Sequence, residues 1–589
     1  MFSSFLVYLS FLTLLARGTQ GSILQSQADL KSYYDFIIVG AGPGGSVVSN
    51  RLTEDPNVSV LIIEAGGANN DSLTIDVPLL CTKLTPNTQW DWNYTTTPQP
   101  NLNNRVLPFP RGIGLGGTSA VNCLVYTRGS KQNIDKWASL TNDPSWGWDQ
   151  MLPYFKKSEK FNLPADGHNI TDQFNPSFHG FDGYIGVSVP GAGRAIDSRV
   201  IQTTQELPDE FPFTPDVNTG DQLGVGWVQA LIDRGVRSSS ASYFTPQVLA
   251  RGNLDILLNT RVSRILPSSN NSFNVIEYLD SISGTLKNLT ASKEIILSAG
   301  TIGTPSILLH SGIGNATTLT SLGITPLIHL PSVGQNLTDH IGVSSTWLVN
   351  STLTYDTVLR NATLGETLLR QWEDSKTGIN VDTSENHLAF LRLPENSSVL
   401  RTFGDPAAGN ETAHFEFLFQ NGLSQITASG NYLNLPSGNV SPKSSGSVTI
   451  NSTNPFDAPL IDPGLLSAEV DIHILREAIR TAHKFVKAAA WSDYILQDLT
   501  NATTDAEIDE FIRNNAVSFF HPVSTSAMSP FGTTDWGVVD PDLRVKGVNG
   551  LRIVDASVAP SLPAAHTSAA VYAIAEHAAD IIKSAYGFL

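Results

Sequence analysis

The 589-residue sequence is poor in cysteine, in positive charge and in long apolar runs. Each shortage excludes something. Two cysteines, Cys81 and Cys123, cannot build a disulfide framework. They leave open one bridge or two buried thiols. No Cys/His cluster has metal-ligand spacing, so no metal site is expected. Lys and Arg number 36 against 54 Asp and Glu, a formal net charge of −18. That balance argues against nucleic acid and against an anionic membrane surface as partners. Apart from residues 2–15, no stretch is apolar for long enough to span a bilayer. The run 2–15, followed by Ala16-Arg17-Gly18-Thr19-Gln20-Gly21, has the length of a secretory signal segment, and residues 1–21 are read as one. No basic residue precedes the run, so an uncleaved anchor stands as the alternative.

The length calls for two or more domains, and a hydrophobic content of 41% with 15% charge fits a globular chain. Asn-x-Ser/Thr sequons recur, for example at Asn57, Asn93, Asn169, Asn288, Asn315, Asn336, Asn361, Asn410 and Asn501. This density points to a secreted, extracellular glycoprotein.

The stretch Tyr34-Asp35-Phe36-Ile37-Ile38-Val39-Gly40-Ala41-Gly42-Pro43-Gly44-Gly45 organises the chain. Residues 36–39 read as a buried strand and 46–52 as the start of a helix. Between them lies Gly40-x-Gly42-x-x-Gly45. Gly40 allows the tight turn, Gly42 lets backbone approach a pyrophosphate, and Gly45 lets helix and strand pack closely. A helix N-terminus there offers free N–H groups to phosphates. A second strand, 58–63, ends in Glu64, which can accept hydrogen bonds from a ribose. Together these parts predict a dinucleotide site without choosing between NAD and FAD.

A second glycine-rich segment, Arg111-Gly112-Ile113-Gly114-Leu115-Gly116-Gly117-Thr118-Ser119-Ala120-Val121-Asn122, reads as another contact with the same extended cofactor. Short strands are predicted at 184–189, 254–258, 262–265, 293–299, 414–419, 447–451 and 551–557. Helices are predicted at 305–310, 471–487 and 568–583. The helix 471–487 buries Ile472, Leu475, Ile479, Ala482, Phe485 and Val486 on one face.

The motifs resemble those of the glucose-methanol-choline (GMC) family of flavoproteins. The resemblance rests on the N-terminal fingerprint, on residues 115–122 and 300–314, on Asn336-Leu337-Thr338-Asp339-His340, on His521-Pro522-Val523 and on Asp555-Ala556-Ser557. Within the family the tail 536–548 is most similar to fungal aryl-alcohol oxidases. The resemblance implies an α/β chain of two domains. One is a Rossmann-like FAD-binding domain built from discontinuous pieces (22–339, with an insertion on the substrate side, and 511–589). The other is a substrate-binding domain on an antiparallel sheet (340–510). It selects FAD. The residues it implies at the cofactor are Gly40, Gly42, Pro43, Gly44, Gly45, Glu64, Ala65, Gly117, Thr118, Asn122, Cys123, Leu124, Val125, Val262, Asp555, Ala556 and Thr567. Val121 stands where members with covalently attached flavin have histidine, so the FAD is expected to be non-covalent.

By the same resemblance His521 and His566 lie beside the reactive face of the flavin. Oxidising an alcohol to a carbonyl removes a hydroxyl proton and a hydride, and the flavin takes the hydride at its N5 atom. A histidine, with an ordinary pKa of about 6.5, suits the proton. His521 is read as the base and His566 as the partner that orients the oxygen; the reverse is open. Phe520, which precedes the base, is read as a pocket residue. His340 and His414 are read as structural support, and His168, His310, His329, His473, His483 and His577 as surface or packing residues.

The implied activity is oxidation of a primary or secondary alcohol, aromatic or allylic among them, with O₂ as acceptor and H₂O₂ as product. A dehydrogenase using a quinone, and a lyase or cyclase with structural FAD, are the alternatives. A monomer is expected. Two departures bear on the pocket. Cys123 stands where aryl-alcohol oxidases have an aromatic residue, and Ser524 replaces a glycine usual in the family. Methionine is also scarce (Met1, Met151 and Met528), for which compositional drift is a better account than protection from peroxide.

Overall fold

The computed structural model describes residues 22–24, 27–69, 72–269, 271–280, 283–423, 427 and 429–588. Residues 1–21, read from the sequence as a signal segment, lie outside them. One eight-stranded sheet carries the glycine motif. Its central strand, Tyr34–Val39, pairs in parallel with Val60–Ile63 on one side and with Leu286–Leu297 on the other. Leu254–Leu257 and Ser22–Leu24 extend one flank in parallel. Leu551–Ile553, from the far end of the chain, runs parallel to the last residues of Leu286–Leu297. Val262–Leu266 and Val275–Leu279 finish the other flank antiparallel. Every residue of Tyr34–Val39 and Val60–Ile63 is buried. Burial on both faces is why these strands read as unbroken apolar runs.

The closing helix Ser568–Tyr586 packs against the first helix, Pro43–Leu52. Arg51 ties them by donating from Nε and Nη2 to the Glu576 carboxylate, both at 2.8 Å. Tyr243 donates its hydroxyl to the same carboxylate at 2.8 Å. The two ends of the chain are thereby fixed together under the glycine motif.

A second, antiparallel sheet has the order Ile495–Asp498, Ile341–Val349, Tyr432–Asn439, Phe415–Gln420, Glu385–Leu391, Gly224–Trp227. Val517–Ser518 adds to the edge of Ile341–Val349. Its two faces differ, as period-2 alternation requires. Phe415, Phe417, Phe419, Leu433 and Leu435 share one core with Ile474, Ala478 and Phe485 of the helix Glu469–Phe485. Leu418, Gln420, Asn434, Pro436 and Ser344 face the opposite way and line a cavity. The helix buries more than the predicted stripe, since Ile474 and Ala478 join it while Ile472, Leu475 and Ile479 enter a neighbouring cluster.

Two elements start earlier than the sequence pattern predicts. The strand read as beginning at 293 begins at Leu286, because its exposed polar first half is held by the hairpin partner Val275–Leu279 rather than by core burial. The helix read as beginning at Pro305 spans Gly300–His310. Pro305 cannot donate to the Thr301 carbonyl one turn back. The Thr525 hydroxyl does so instead, at 2.7 Å. Cys81 and Cys123 form a disulfide, which closes the question left open by their number.

Candidate functional site

The carboxyl ends of the parallel strands open onto one cavity of about 780 Å³, as expected of open α/β sheets. Gly40 turns the chain there with φ of +103°, and a Cβ on it would meet the Ser298 carbonyl at 2.4 Å. Gly44 is as restricted: an added Cβ would lie 2.0 Å from the Val554 carbonyl. Gly42 is the N-cap of the helix Pro43–Leu52, and no side chain caps the N–H groups behind it.

Glu64 departs from the simple ribose role. Its carboxylate accepts backbone N–H bonds from Ala41 (2.8 Å), Gly66 (3.0 Å) and Gly114 (2.9 Å). It therefore stitches the two glycine loops together, and burial pushes its pKa up. Asp555 plays a similar part under the cavity. It accepts from the Gly300 N–H at 2.9 Å, the Thr304 hydroxyl at 2.6 Å and the Ser557 N–H at 2.8 Å.

Of the residues expected at the cofactor, all but Gly45 line this cavity, together with Phe520, His521 and His566. Gly45 sits instead in the turn, where an added Cβ would be 2.0 Å from the Gly40 carbonyl and 3.0 Å from Ile38 Cγ2. It is a packing glycine, as its place in the motif predicts. At the end marked by Val262, Arg261 lies over the rings of Trp92 (5.1 Å) and Phe456 (5.2 Å). The disulfide joins the turn Pro78–Lys83 to the wall segment at Cys123, so part of the wall is cross-linked.

The two histidines meet at the opposite end. Their ring centroids are 4.6 Å apart and their planes 70° apart. His521 sits on a constrained turn, since Phe520 before it has φ of +63° and Ser524 after it φ of +73°. Such backbone in non-glycine residues must be held by its surroundings. Asp339 accepts the His521 N–H at 2.7 Å, Ser518 Oγ accepts the Phe520 N–H at 2.8 Å, and Arg111 donates to the Phe520 carbonyl at 2.6 Å. The positive φ also explains why glycine is usual at Ser524; here the Ser524 hydroxyl bonds the Ala559 carbonyl at 2.8 Å. His566 is set by Thr127, whose hydroxyl oxygen accepts its N–H at 2.8 Å.

Charges around the pair are unequal. Burial, with His566, His340 and Arg111 nearby, holds the His521 ring well below the usual histidine value. Burial pushes Asp339 up to about 6. On the other ring, His566 Nε2 lies 3.2 Å from Oε2 of Glu416, a fully buried carboxylate.

The sequence reading missed three groups. Glu416 lies within an alternating strand and carries no motif. Glu385, on the cavity wall, is a buried carboxylate raised by burial. His340, read as structural support, places Nδ1 3.0 Å from His521 Nδ1. The Asp-His pair 339–340, in the family-like segment 336–340, was the one available signal for it. Among the described residues no group of three or more His, Cys, Asp or Glu could hold a metal ion, and no helix is long and apolar enough to cross a membrane.

Comparison with known proteins gives a consistent picture. The N- and C-terminal parts of the GMC oxidoreductase family model match residues 34–342 and 442–575. A dehydrogenase, eriK, of Hericium erinaceus is 40% identical over 94% of this chain and 94% of its own length. Pyranose dehydrogenase 3 of Leucoagaricus meleagris is 39% identical over 94% of this chain and 93% of its own. Among solved structures, formate oxidase superposes with a TM-score of 0.87 at 29% identity, covering 94% of this chain and 99% of that one. A fungal aryl-alcohol oxidase does so with a TM-score of 0.82 at 28% identity, covering 95% and 100%.

Proposed function

The chain belongs to the GMC oxidoreductases, a family of FAD flavoproteins, and we propose that it oxidises one hydroxyl-bearing carbon of a polyhydroxylated small molecule to the carbonyl. The observation that carries this reading is the position of His521 and His566, rings 4.6 Å apart, on the wall of the cavity that the glycine loops open. The residues present fit FAD. An uncapped helix N-terminus and two glycine loops present backbone to a pyrophosphate. Val121, on the same wall, has no ring nitrogen for attachment, which favours a non-covalent cofactor. Bound FAD would supply the hydride acceptor.

In this reading His521 takes the hydroxyl proton at Nε2, because Nδ1 is engaged by His340. Its depressed pKa keeps the ring neutral and ready to accept at neutral pH. His566 keeps Nδ1 for the substrate oxygen, with the Glu416 carboxylate behind Nε2 to balance a positive ring. That same carboxylate favours a second reading, in which His566 is the base. His566→Ala would then slow the reaction more than His521→Ala.

The substrate class follows from the wall of the antiparallel sheet. Ser344, Ser384, Glu385, Gln420 and Asn434 line it, beside Phe519, whose ring packs against Gly342 and Gly438 of the same sheet, and Phe520. Such a polar wall suits a hydroxyl-rich molecule such as a sugar better than a benzylic alcohol. An organic acceptor is favoured over O₂, in line with the dehydrogenase names of relatives at 38–40% identity. The disulfide and the sequons support an extracellular, oxidising setting. The test is anaerobic mixing of the flavin-loaded protein with sugars, polyols and benzylic alcohols, followed by air or a quinone. Sugars should bleach the flavin and the quinone should restore its colour faster than air. Bleaching by benzylic alcohols alone, or faster recovery in air, would overturn the respective half of the reading.

A further inference from the structure

The geometry assigns His340 a positioning role: it holds His521 as the Nδ1–H tautomer, so that the Nε2 lone pair is left to the cavity. This inference rests on His521 being the base. The two rings meet Nδ1 to Nδ1 at 3.0 Å, nearly perpendicular at 87°. A bond between two ring nitrogens needs one proton, on one ring only. Which ring holds it is decided at the far side of His340.

His340 is completely buried, and its Nε2 has no partner of good hydrogen-bond geometry among the described residues. The backbone groups acting on the ring are those of Pro563 and Val440, both favouring a proton on it. Proline has no N–H. The Val440 N–H is already donated to the His414 carbonyl at 2.9 Å. Both neighbours therefore present only carbonyl oxygens, which accept and never donate. With His340 Nδ1 taken up by His521, Nε2 is the nitrogen left to those acceptors, and a proton there is favoured over a lone pair. With the His340 proton on Nε2, its Nδ1 is an acceptor. His521 must then donate from Nδ1, and its Nε2 carries the lone pair.

The arrangement has two consequences for the proton step. The substrate O–H bond breaks, its proton forms an N–H bond at His521 Nε2, and the bonding electron pair stays on oxygen. No tautomer change is needed first. The imidazolium that results keeps its Nδ1–H donated to His340, so the same contact that sets the tautomer also holds the charged product. The groups that face this pair are His566, Arg111 and, through the His521 backbone N–H, Asp339. Glu416 acts on His340 as well as bonding His566. None of these offers a second acceptor to His521 Nδ1, which leaves the tautomer to His340.

The logic is that of a residue orienting a catalytic histidine, with a neutral imidazole where hydrolases use a carboxylate. The asymmetric local chemistry makes it more than packing. A phenylalanine at 340 would fill the space and offer no lone pair, whereas an asparagine would offer a carbonyl oxygen in place of Nδ1.

The test uses flavin-loaded protein labelled with ¹⁵N-histidine, with the His521 signals identified by their loss in His521→Gln. At neutral pH, His521 Nδ1 should appear as a protonated, pyrrole-type nitrogen and Nε2 as an unprotonated, pyridine-type one. The opposite pattern would overturn the inference, and this readout on the unaltered protein holds even where a variant fails to fold. His340→Phe, with flavin-to-protein ratio as the folding control, should slow anaerobic flavin reduction roughly 10- to 100-fold. Substrate affinity should be unchanged, and His340→Asn should recover most of the rate. An unchanged rate in His340→Phe, with His521→Ala still slow, would sink the positioning role alone. A normal rate in His521→Ala would sink the reading of the base beneath it.

Discussion

The two walls of the cavity recognise in different ways. On the side of the parallel sheet, contact is made by backbone. Gly40, Gly42, Gly44 and Gly117 expose main chain to the cavity, and the buried carboxylates Glu64 and Asp555 spend themselves on holding loops. On the side of the antiparallel sheet, contact is made by side chains that alternate out of a phenylalanine-rich core. The first wall has no freedom to vary without loss of the fold. The second can change a side chain and keep its strands, since Glu416, Leu418 and Gln420 face away from the core that holds Phe415, Phe417 and Phe419. A fixed cofactor and a variable substrate call for that division. The chemistry sits at the seam, where His340 precedes the strand Ile341–Val349, His521 follows its partner Val517–Ser518, and His566 precedes the closing helix Ser568–Tyr586.

The largest effect should come from breaking the backbone wall. Gly44→Ala places a methyl 2.0 Å from the Val554 carbonyl, backbone against backbone, and neither side can yield. We expect more than about 3 kcal/mol of destabilisation and no flavin-loaded protein. Thermal unfolding and the flavin absorbance ratio measure it, and a fully loaded, stable variant would break the comparison.

A change on the side-chain wall should leave the fold and alter only the chemistry. Glu416→Gln keeps the shape and removes the charge behind His566. Flavin content should stay intact while anaerobic reduction slows about 10- to 100-fold, the value of a hydrogen bond to a charged group. Loss of flavin together with rate would mean that Glu416 is structural.

The pH profile sharpens the same seam. His521 is held well below the ordinary histidine value, so lowering the pH through about 6.5 does not protonate it. Protonation, and loss of the base, comes only at lower pH. The acid limb of kcat/KM should therefore fall well below pH 6.5, and a limb at or above 6.5 would contradict the burial argument.

The smallest effect is expected at Ser524. Ser524→Gly relieves a positive φ of 73° and loses the bond to the Ala559 carbonyl. The two offset to within about 1 kcal/mol. A shift larger than that in thermal unfolding would show that the hydroxyl does more than hold the turn.

The backbone wall was legible in the sequence because its determinants are local. A strand, three glycines and a helix within twenty residues or so require each other. The cavity residues read from that motif and from the family resemblance accordingly fall on one surface, with Gly45 in the packing place that its motif position requires. The side-chain wall was not legible. Glu416 and His566 are 150 positions apart, and His340 and His521 are 181 apart. Nothing in a strand such as His414-Phe415-Glu416-Phe417-Leu418-Phe419 says what its polar face will meet. The early start of the helix Gly300–His310 was hidden for the same reason, since the hydroxyl that replaces the Pro305 hydrogen bond comes from Thr525.

The central claim is that His521 accepts the substrate proton. It is tested most directly by the anaerobic rate of flavin reduction in flavin-loaded His521→Ala, beside wild type, with a substrate that bleaches the wild-type flavin. The account predicts a fall of about 10²- to 10⁴-fold at unchanged flavin content. A wild-type rate in that variant would contradict it.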